Sequence, residues 1–296
     1  MSTRFMTLLQ REWMQHHRGW LLLILIPPLL VLLAMPFGRV ETDASSAPTM
    51  AVAAVALGAT ALGGFGISWL VSMFQIPGLA RRDQQDRSIE FWLSLPGTHT
   101  ESIAATVLMH VVFVPLLALA ISAGLGLVMA AAVVIKVSGL AALTEVSWLG
   151  LLIAGVVGVL RLGFGVLLMS LWLAPIYLGL MAASAWLKRW GAPLLIVATL
   201  IAGNVLNKVY DNPIVWKLLQ AQADGAGRAL MDAKKELERT VDGPASLPQF
   251  IGEISSWALH DALAALGQLA SPHLIGGLAI AAACFGLLIL HRRNAH

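Results

Sequence analysis

The sequence predicts an all-α polytopic membrane protein with six transmembrane helices, and three observations predict it. Of 296 residues, 58% are in the hydrophobic class and only 12% are charged. A soluble domain averages about 25% charged residues, so this chain has too little charge to cover a water-soluble globule. Mean hydropathy is +0.80. Finally, six windows contain no Asp, Glu, Lys or Arg: 19–38, 44–80, 102–135, 162–187, 190–207 and 262–291. Each approaches or exceeds the roughly 20 apolar residues that a helix needs to cross a bilayer. In lipid an open sheet or loop would strand its backbone polar groups, so helix is the expected form. The same composition excludes a nucleic-acid binder, a disulfide scaffold and a disordered chain. The single cysteine, Cys284, excludes an intrachain disulfide and a Cys-based metal site.

In chain order, the expected spans are 20–37, 51–76, 103–130, 160–187, 191–208 and 273–290, within one transmembrane domain over 1–296. Ahead of the first, residues 1–19 place Phe5, Met6, Leu8, Leu9 and Trp13 among Arg4, Arg11, Glu12 and Arg18. Apolar residues at helical spacing among charges predict an amphipathic helix on the cytoplasmic face. Pro27, Pro28 and Pro36 in the first window predict a kinked or locally unwound span. Their presence, with no A-x-A site, argues against a cleavable signal.

Residues 77–101 form a cytoplasmic loop in which a charged run from Arg81 to Glu90 meets Ile89, Phe91, Trp92, Leu93 and Leu95, closed by Pro96 and Gly97. This predicts a short helix with a bulky apolar face, either a docking surface or a helix lying at the headgroups. Residues 131–160 fit a long helix reaching past the bilayer or a short re-entrant piece. The external segment 209–272 predicts a helical hairpin, helical over 213–240 and 249–267, resting on the outer membrane face as a lid, a docking surface or an inert feature.

Orientation follows the basic residues near span ends. With the N-terminus inside, the cytoplasmic segments hold Arg4, Arg11, Arg18, Arg81, Arg82, Arg87, Lys188, Arg189, Arg292 and Arg293. The short external loops hold Arg39 and Lys136, and Lys208 sits at a span end. Both termini are then cytoplasmic.

Catalytic patterns are missing. There is no G-x-x-x-x-G-K-[ST] phosphate loop, no H-E-x-x-H and no G-x-S-x-G. The eight histidines are scattered, and His110 reads as a satisfied interior residue rather than a ligand, so no metal is expected. The windows contain no carboxylate, so no proton relay is visible. Arg161 is the one charge placed to lie within the membrane, either facing a cavity or partner or snorkelling to the outer headgroups. Gly163 and Gly165 beside it suit close helix packing, as does the Gly58, Gly63, Gly64 and Gly66 cluster.

The stretch ARRDQQDRSIEFWLSLPGTHTE resembles the cytoplasmic loop of ABC exporter permeases of the ABC-2 type. That family's pattern is close to D-G-[ST]-[IL]-E-x-[LW]-L-[ST]-L-P. Asp86, Ser88, Ile89, Glu90, Trp92, Leu93, Ser94, Leu95 and Pro96 match it, while Arg87 replaces the common glycine. The N-terminal LLQREWMQHHRGWLLLILI is also similar to that family. The resemblance implies a bacterial inner-membrane permease, working as a homodimer with two separate ATPase subunits. ATP and magnesium would sit on those subunits and no cofactor on this chain. It implies that the loop from 81 to 99 is the coupling helix. Arg82, Asp86 and Glu90 would supply its polar contacts, and Ile89, Phe91, Trp92 and Leu93 its apolar anchors. The N-terminal helix with Arg11, Glu12 and Trp13 would be a second lever, and the first, second and fifth spans would line the path. Two other readings stay open: an ion-coupled carrier, and a membrane anchor recruiting an ATPase for a task other than transport. An intramembrane enzyme is disfavoured by the missing motifs.

Overall fold

The computed structural model describes residues 3–38, 47–85, 98–232 and 247–294, and the side chains of 3, 82–85 and 247–250 fall outside that description. Among the described residues the chain is entirely helical, with no strand. The elements are α1 (Thr3–Ala34), α2 (Thr49–Gln85), α3 (His99–Ser138), α4 (Trp148–Leu187), α5 (Gly191–Val209), α6 (Ile214–Leu230), α7 (Leu247–Gly267) and α8 (Pro272–Asn294). Five stretches are long and apolar enough to cross a membrane: Arg4–Ala34, Thr49–Arg81, His99–Ser138, Trp148–Val209 and Pro272–Asn294.

The segment expected as a separate interfacial helix, 1–19, is not separate. One helix of 32 residues runs from Thr3 to Ala34, through Pro27 and Pro28 without a break. Its N-terminal half packs in parallel register along the start of α3, burying Leu9 and Trp20 with Ala105, Met109 and Val114. That packing explains the continuity, because the apolar stripe of residues 5–20 has a protein partner rather than a headgroup layer.

The most extensive helix pair is α2 with α3. They run antiparallel, with Leu57 beside Gly126, Gly64 beside Ser122, and Phe65 sharing a core with Leu119. A Cβ on Gly126 would lie 2.9 Å from the Leu57 carbonyl oxygen, so glycine sets the approach distance. In the α2 glycine cluster only Gly64 has such a reason, since Gly58, Gly63 and Gly66 face open space.

Helix α3 starts with a capping box. The Glu101 N–H donates to Thr98 Oγ1 and the Thr98 N–H donates to Glu101 Oε2, each at 3.2 Å. Over Met109–Phe113 the helix opens into a π turn. Pro115 explains the position, because it has no N–H for the Val111 carbonyl and its ring would crowd that oxygen. The Ser170 hydroxyl of α4 donates to the Val166 carbonyl of its own helix at 2.6 Å and lies 3.4 Å from the Val111 carbonyl oxygen. The helix ends at Gly139, where φ of 88° favours glycine.

Residues 131–160 resolve into the end of α3, a 3-10 turn at Leu140–Thr144 and the start of α4, the long-helix alternative. At 40 residues, α4 is about 60 Å long, and it is the axis on which α5 to α8 assemble. The turn at Lys188–Trp190 reverses the chain, with Lys188 at φ 54°. Helix α5 then folds back along α4, placing Gly191 against the Ala183 backbone and Leu195 opposite Gly179. The residues expected as fourth and fifth spans therefore form one apolar stretch, Trp148–Val209, bent into two antiparallel helices.

The described helices of the segment 209–272, α6 and α7, are not detached from the bundle. Helices α6 and α7 pack into the main core, where Ala226, Ala229 and Ala265 join Trp172, Val166 and Leu274. Small residues admit α6 to this position. Gly225 lies against the Trp172 ring, and Gly165 of α4 lies against the backbone of Ala229 and Leu230. Gly225→Ala is expected to destabilise by about 1–3 kcal/mol through overpacking. Gly227→Ala, where nothing lies within 4 Å, is expected to be near neutral. Thermal unfolding of the purified chain in detergent separates the two.

Candidate functional site

At one end of the bundle the last turns of α2, α4 and α8 meet the first turn of α3. Leu79, Ala80, Ile103, Thr106, Met181, Ala185, Leu288, His291 and Arg292 enclose a small gap there. The Arg292 guanidinium donates to Ser102 Oγ at 3.1 Å, tying α8 to α3. Arg81, Lys188, Arg189, Arg292 and Arg293 all belong to these helix ends. Arg11 joins them through α1, because Glu12 bonds Thr106 near the start of α3.

From this same end the chain leaves α2 after Gln85 and returns at the Thr98 cap of α3. Asp86, Ile89, Glu90, Phe91, Trp92 and Leu93 lie outside the described residues, and of Arg82 only its place in α2 is described. The structure thus defines the platform that holds both ends of the expected coupling segment, with basic side chains around it.

Arg11, Glu12 and Trp13 are brought against α3. Arg11 is 7% exposed and Glu12 is 0% exposed, so neither forms the solvated face of an amphipathic helix. The Arg11 guanidinium donates to Glu12 Oε1 at 2.6 Å and the Thr106 hydroxyl donates to the same oxygen at 3.2 Å. A buried carboxylate needs this pairing, since burying it unpaired would cost several kcal/mol. Trp13 is half-buried, with its ring 5.7 Å from that of His17 and 6.1 Å from that of Trp20.

Arg161 is enclosed by protein rather than reaching for headgroups, at 3% exposure. Its guanidinium forms an ion pair with Asp261 of α7, which is itself 7% exposed. It also donates to the Leu230 carbonyl at 3.2 Å and the Ala229 carbonyl at 3.4 Å. Those are terminal carbonyls of α6, which lack intrahelical donors, and a cation there also suits the helix dipole. Asp261 Oδ1 in turn accepts from the Asp232 N–H at 3.1 Å. One arginine therefore ties α4 to the end of α6 and to α7.

Asp261 was not singled out by sequence reasoning, although a signal was present. Ile254, Ala258, Asp261 and Ala265 are all buried at helical spacing, so Asp261 is the one acid on an apolar stripe. An acid on an inward stripe calls for a buried cation, and Arg161 was the one cation already suspected of lying inside.

Two apolar cavities lie among the helices, and the first of them borders this pin. One, of about 500 Å³, lies between α2, α3, α4 and α7, with Arg161 and Met231 at its edge and Leu57, Leu62, Leu151 and Trp257 among its walls. The other, of about 640 Å³, lies between α4, α5, α6 and α8, walled by Pro175, Leu195, Leu200, Leu218 and Ile280, with Thr199, Gln222 and His273 as its polar groups. Both are of a size that takes small apolar ligands or acyl chains. Comparison with known proteins finds no matching family model, no matching curated protein and no matching solved structure.

Proposed function

We propose that this chain is the membrane-spanning subunit of an ATP-driven exporter, moved by a separate ATPase that docks on the loop from 81 to 99. The observation that carries the reading is the DRSIEFWLSLP run, similar to the ABC-2 coupling loop, held between two helix ends on the basic side of an apolar bundle. In this reading the α4–α5 reversal at Lys188–Trp190 makes the 62-residue apolar stretch two crossings, six with the other four stretches. Six crossings put the N-terminal end of α1, the coupling loop, the α4–α5 turn and the C-terminus on the cytoplasmic side, where the positive-inside rule wants their arginines and lysines.

In this reading ATP binding closes the ATPase pair, and that movement is delivered to the ends of α2 and α3. Helices α2 and α3 are packed along their length, so a push at the loop tilts them together. Such coupling requires that the two states differ in energy at the loop contact. Both cavities are almost wholly apolar, which suits a lipid, hydrophobic peptide or drug-like cargo better than an ion. Exposed apolar side chains cover α1 (Leu22, Leu30, Val31, Leu33) and α5 (Leu194, Ile196, Ile201, Val205). These faces suit lipid and the second copy of the chain.

Topology gives the first test. Ser94→Cys and Ser246→Cys are expected to label from opposite sides of sealed membranes. Labelling from the same side removes the six-crossing arrangement. Affinity purification of the tagged chain from its native membrane tests the partner. An ABC-type ATPase is expected in a detergent-stable complex, and its absence argues against the exporter reading.

A further inference from the structure

We propose that Glu12, His16 and His110 form a binding site for a divalent transition-metal ion that joins α1 to α3. The proposal is independent of the exporter reading. Each of the three side chains offers a ligand atom, and these atoms all lie within 4.8 Å of one another. In a tetrahedral zinc site with bonds of about 2.0–2.1 Å, neighbouring ligand atoms are about 3.3 Å apart, so small side-chain adjustments close the set. Glu12 and His16 are one helical turn apart on one face of α1. His110 meets them from the π turn of α3, a local widening that is common at functional sites.

The hydrogen bonds fix which nitrogens face the site. His16 Nδ1 lies 3.3 Å from the Glu12 carbonyl oxygen, and His110 Nδ1 lies 3.0 Å from the Thr106 carbonyl oxygen. A carbonyl can only accept, so each Nδ1 carries a proton, and in the neutral ring Nε2 is then the nitrogen that can take a metal. Metal-binding histidines are held in this way, with the second ring nitrogen donating to a backbone carbonyl or carboxylate. Glu12 is oriented through Oε1 by Arg11 and Thr106. A carboxylate with about four lone-pair sites accommodates a guanidinium and a metal together. Trp20 closes the site, stacked on His16 at 5.3 Å and edge-on to His110 at 5.2 Å.

Two imidazoles and a carboxylate suit zinc, cobalt or nickel rather than magnesium or calcium. Three protein ligands leave a fourth position for water. A bound ion would fasten α1 to α3 next to the π turn and set how far one moves against the other.

Cobalt(II) is the probe, titrated into the full chain purified in detergent. Saturable visible ligand-field absorption at one equivalent is expected, together with quenching of tryptophan fluorescence through Trp20. Zinc is expected to displace the cobalt. His16→Ala and Glu12→Gln are each expected to weaken binding by at least the roughly tenfold that loss of an outer-shell partner costs. His260→Ala, at an exposed position on α7, is expected to leave it unchanged. His16 is only partly buried, so its variant is checked for native elution and helicity before titration. Absence of saturable absorption in the native chain, or equal binding by folded His16→Ala and the native chain, overturns the site.

Discussion

Replacing Arg161 by alanine is expected to lower the stability of the folded chain by about 3–5 kcal/mol, because it leaves Asp261 buried without its cation. It also strips the donors from the Ala229 and Leu230 carbonyls at the end of α6. Asp261→Ala is expected to cost a similar amount for the mirror-image reason, and to release the Asp232 N–H as well. The paired change, Arg161→Leu with Asp261→Leu, is expected to recover much of the loss, since removing both charges removes the desolvation problem. Thermal unfolding in detergent reads all three, and with the single Arg161→Leu and Asp261→Leu variants added the double-mutant cycle isolates the coupling between the two side chains. A local readout accompanies it. If the arginine pins the α6–α7 pair to α4, limited proteolysis between residues 233 and 246 accelerates in Arg161→Ala. A tolerated single substitution would mean that the ion pair does not hold these helices.

Trp92→Ala combined with Glu90→Ala is expected to leave the chain folded in the membrane while abolishing ATP-driven transport by the assembled complex. The reason is local. An exposed aromatic in a docked helix supplies most of the contact energy of a small interface, and truncating such an anchor commonly costs 2 kcal/mol or more, roughly a 30-fold loss of affinity. In the proposed docking Glu90 would supply the polar register, so its loss is expected to affect alignment more than folding. The measurement is stimulation of the partner's ATPase by the native and doubly substituted chains, with membrane insertion checked by Ser246→Cys labelling. Unchanged stimulation would remove the loop as the coupling element.

The helical class and the membrane-crossing character were legible from charge-free windows, because lipid imposes a local requirement that any twenty residues either meet or fail. Element ends were also readable where chemistry marks them. Thr98 and Glu101 announce the start of α3, and Gly139 its end. What depended on tertiary partners was not legible. The apolar stripe of residues 5–20 reads equally as a face for headgroups or for another helix, and only the presence of Ala105, Met109 and Val114 decides it. The hairpin after α5 looked amphipathic enough for a membrane surface, yet Gly225 and Gly165 allow it to sink against Trp172 and the α4 backbone. The Arg161–Asp261 pair spans 100 positions, and the Glu12–His110 approach nearly as many, so spacing along the chain could not reveal either. The proposed docking segment is legible only as a motif, since Asp86 to Leu93 lie outside the described residues.

Reconstitution tests the central claim most directly. Vesicles holding the chain with the ATPase expected to copurify are compared with vesicles holding the chain alone, under ATP and under a proton gradient. The account predicts movement of a hydrophobic fluorescent cargo only with the ATPase and ATP, and no nucleotide hydrolysis by the isolated chain. Transport by the chain alone under a proton gradient would contradict it.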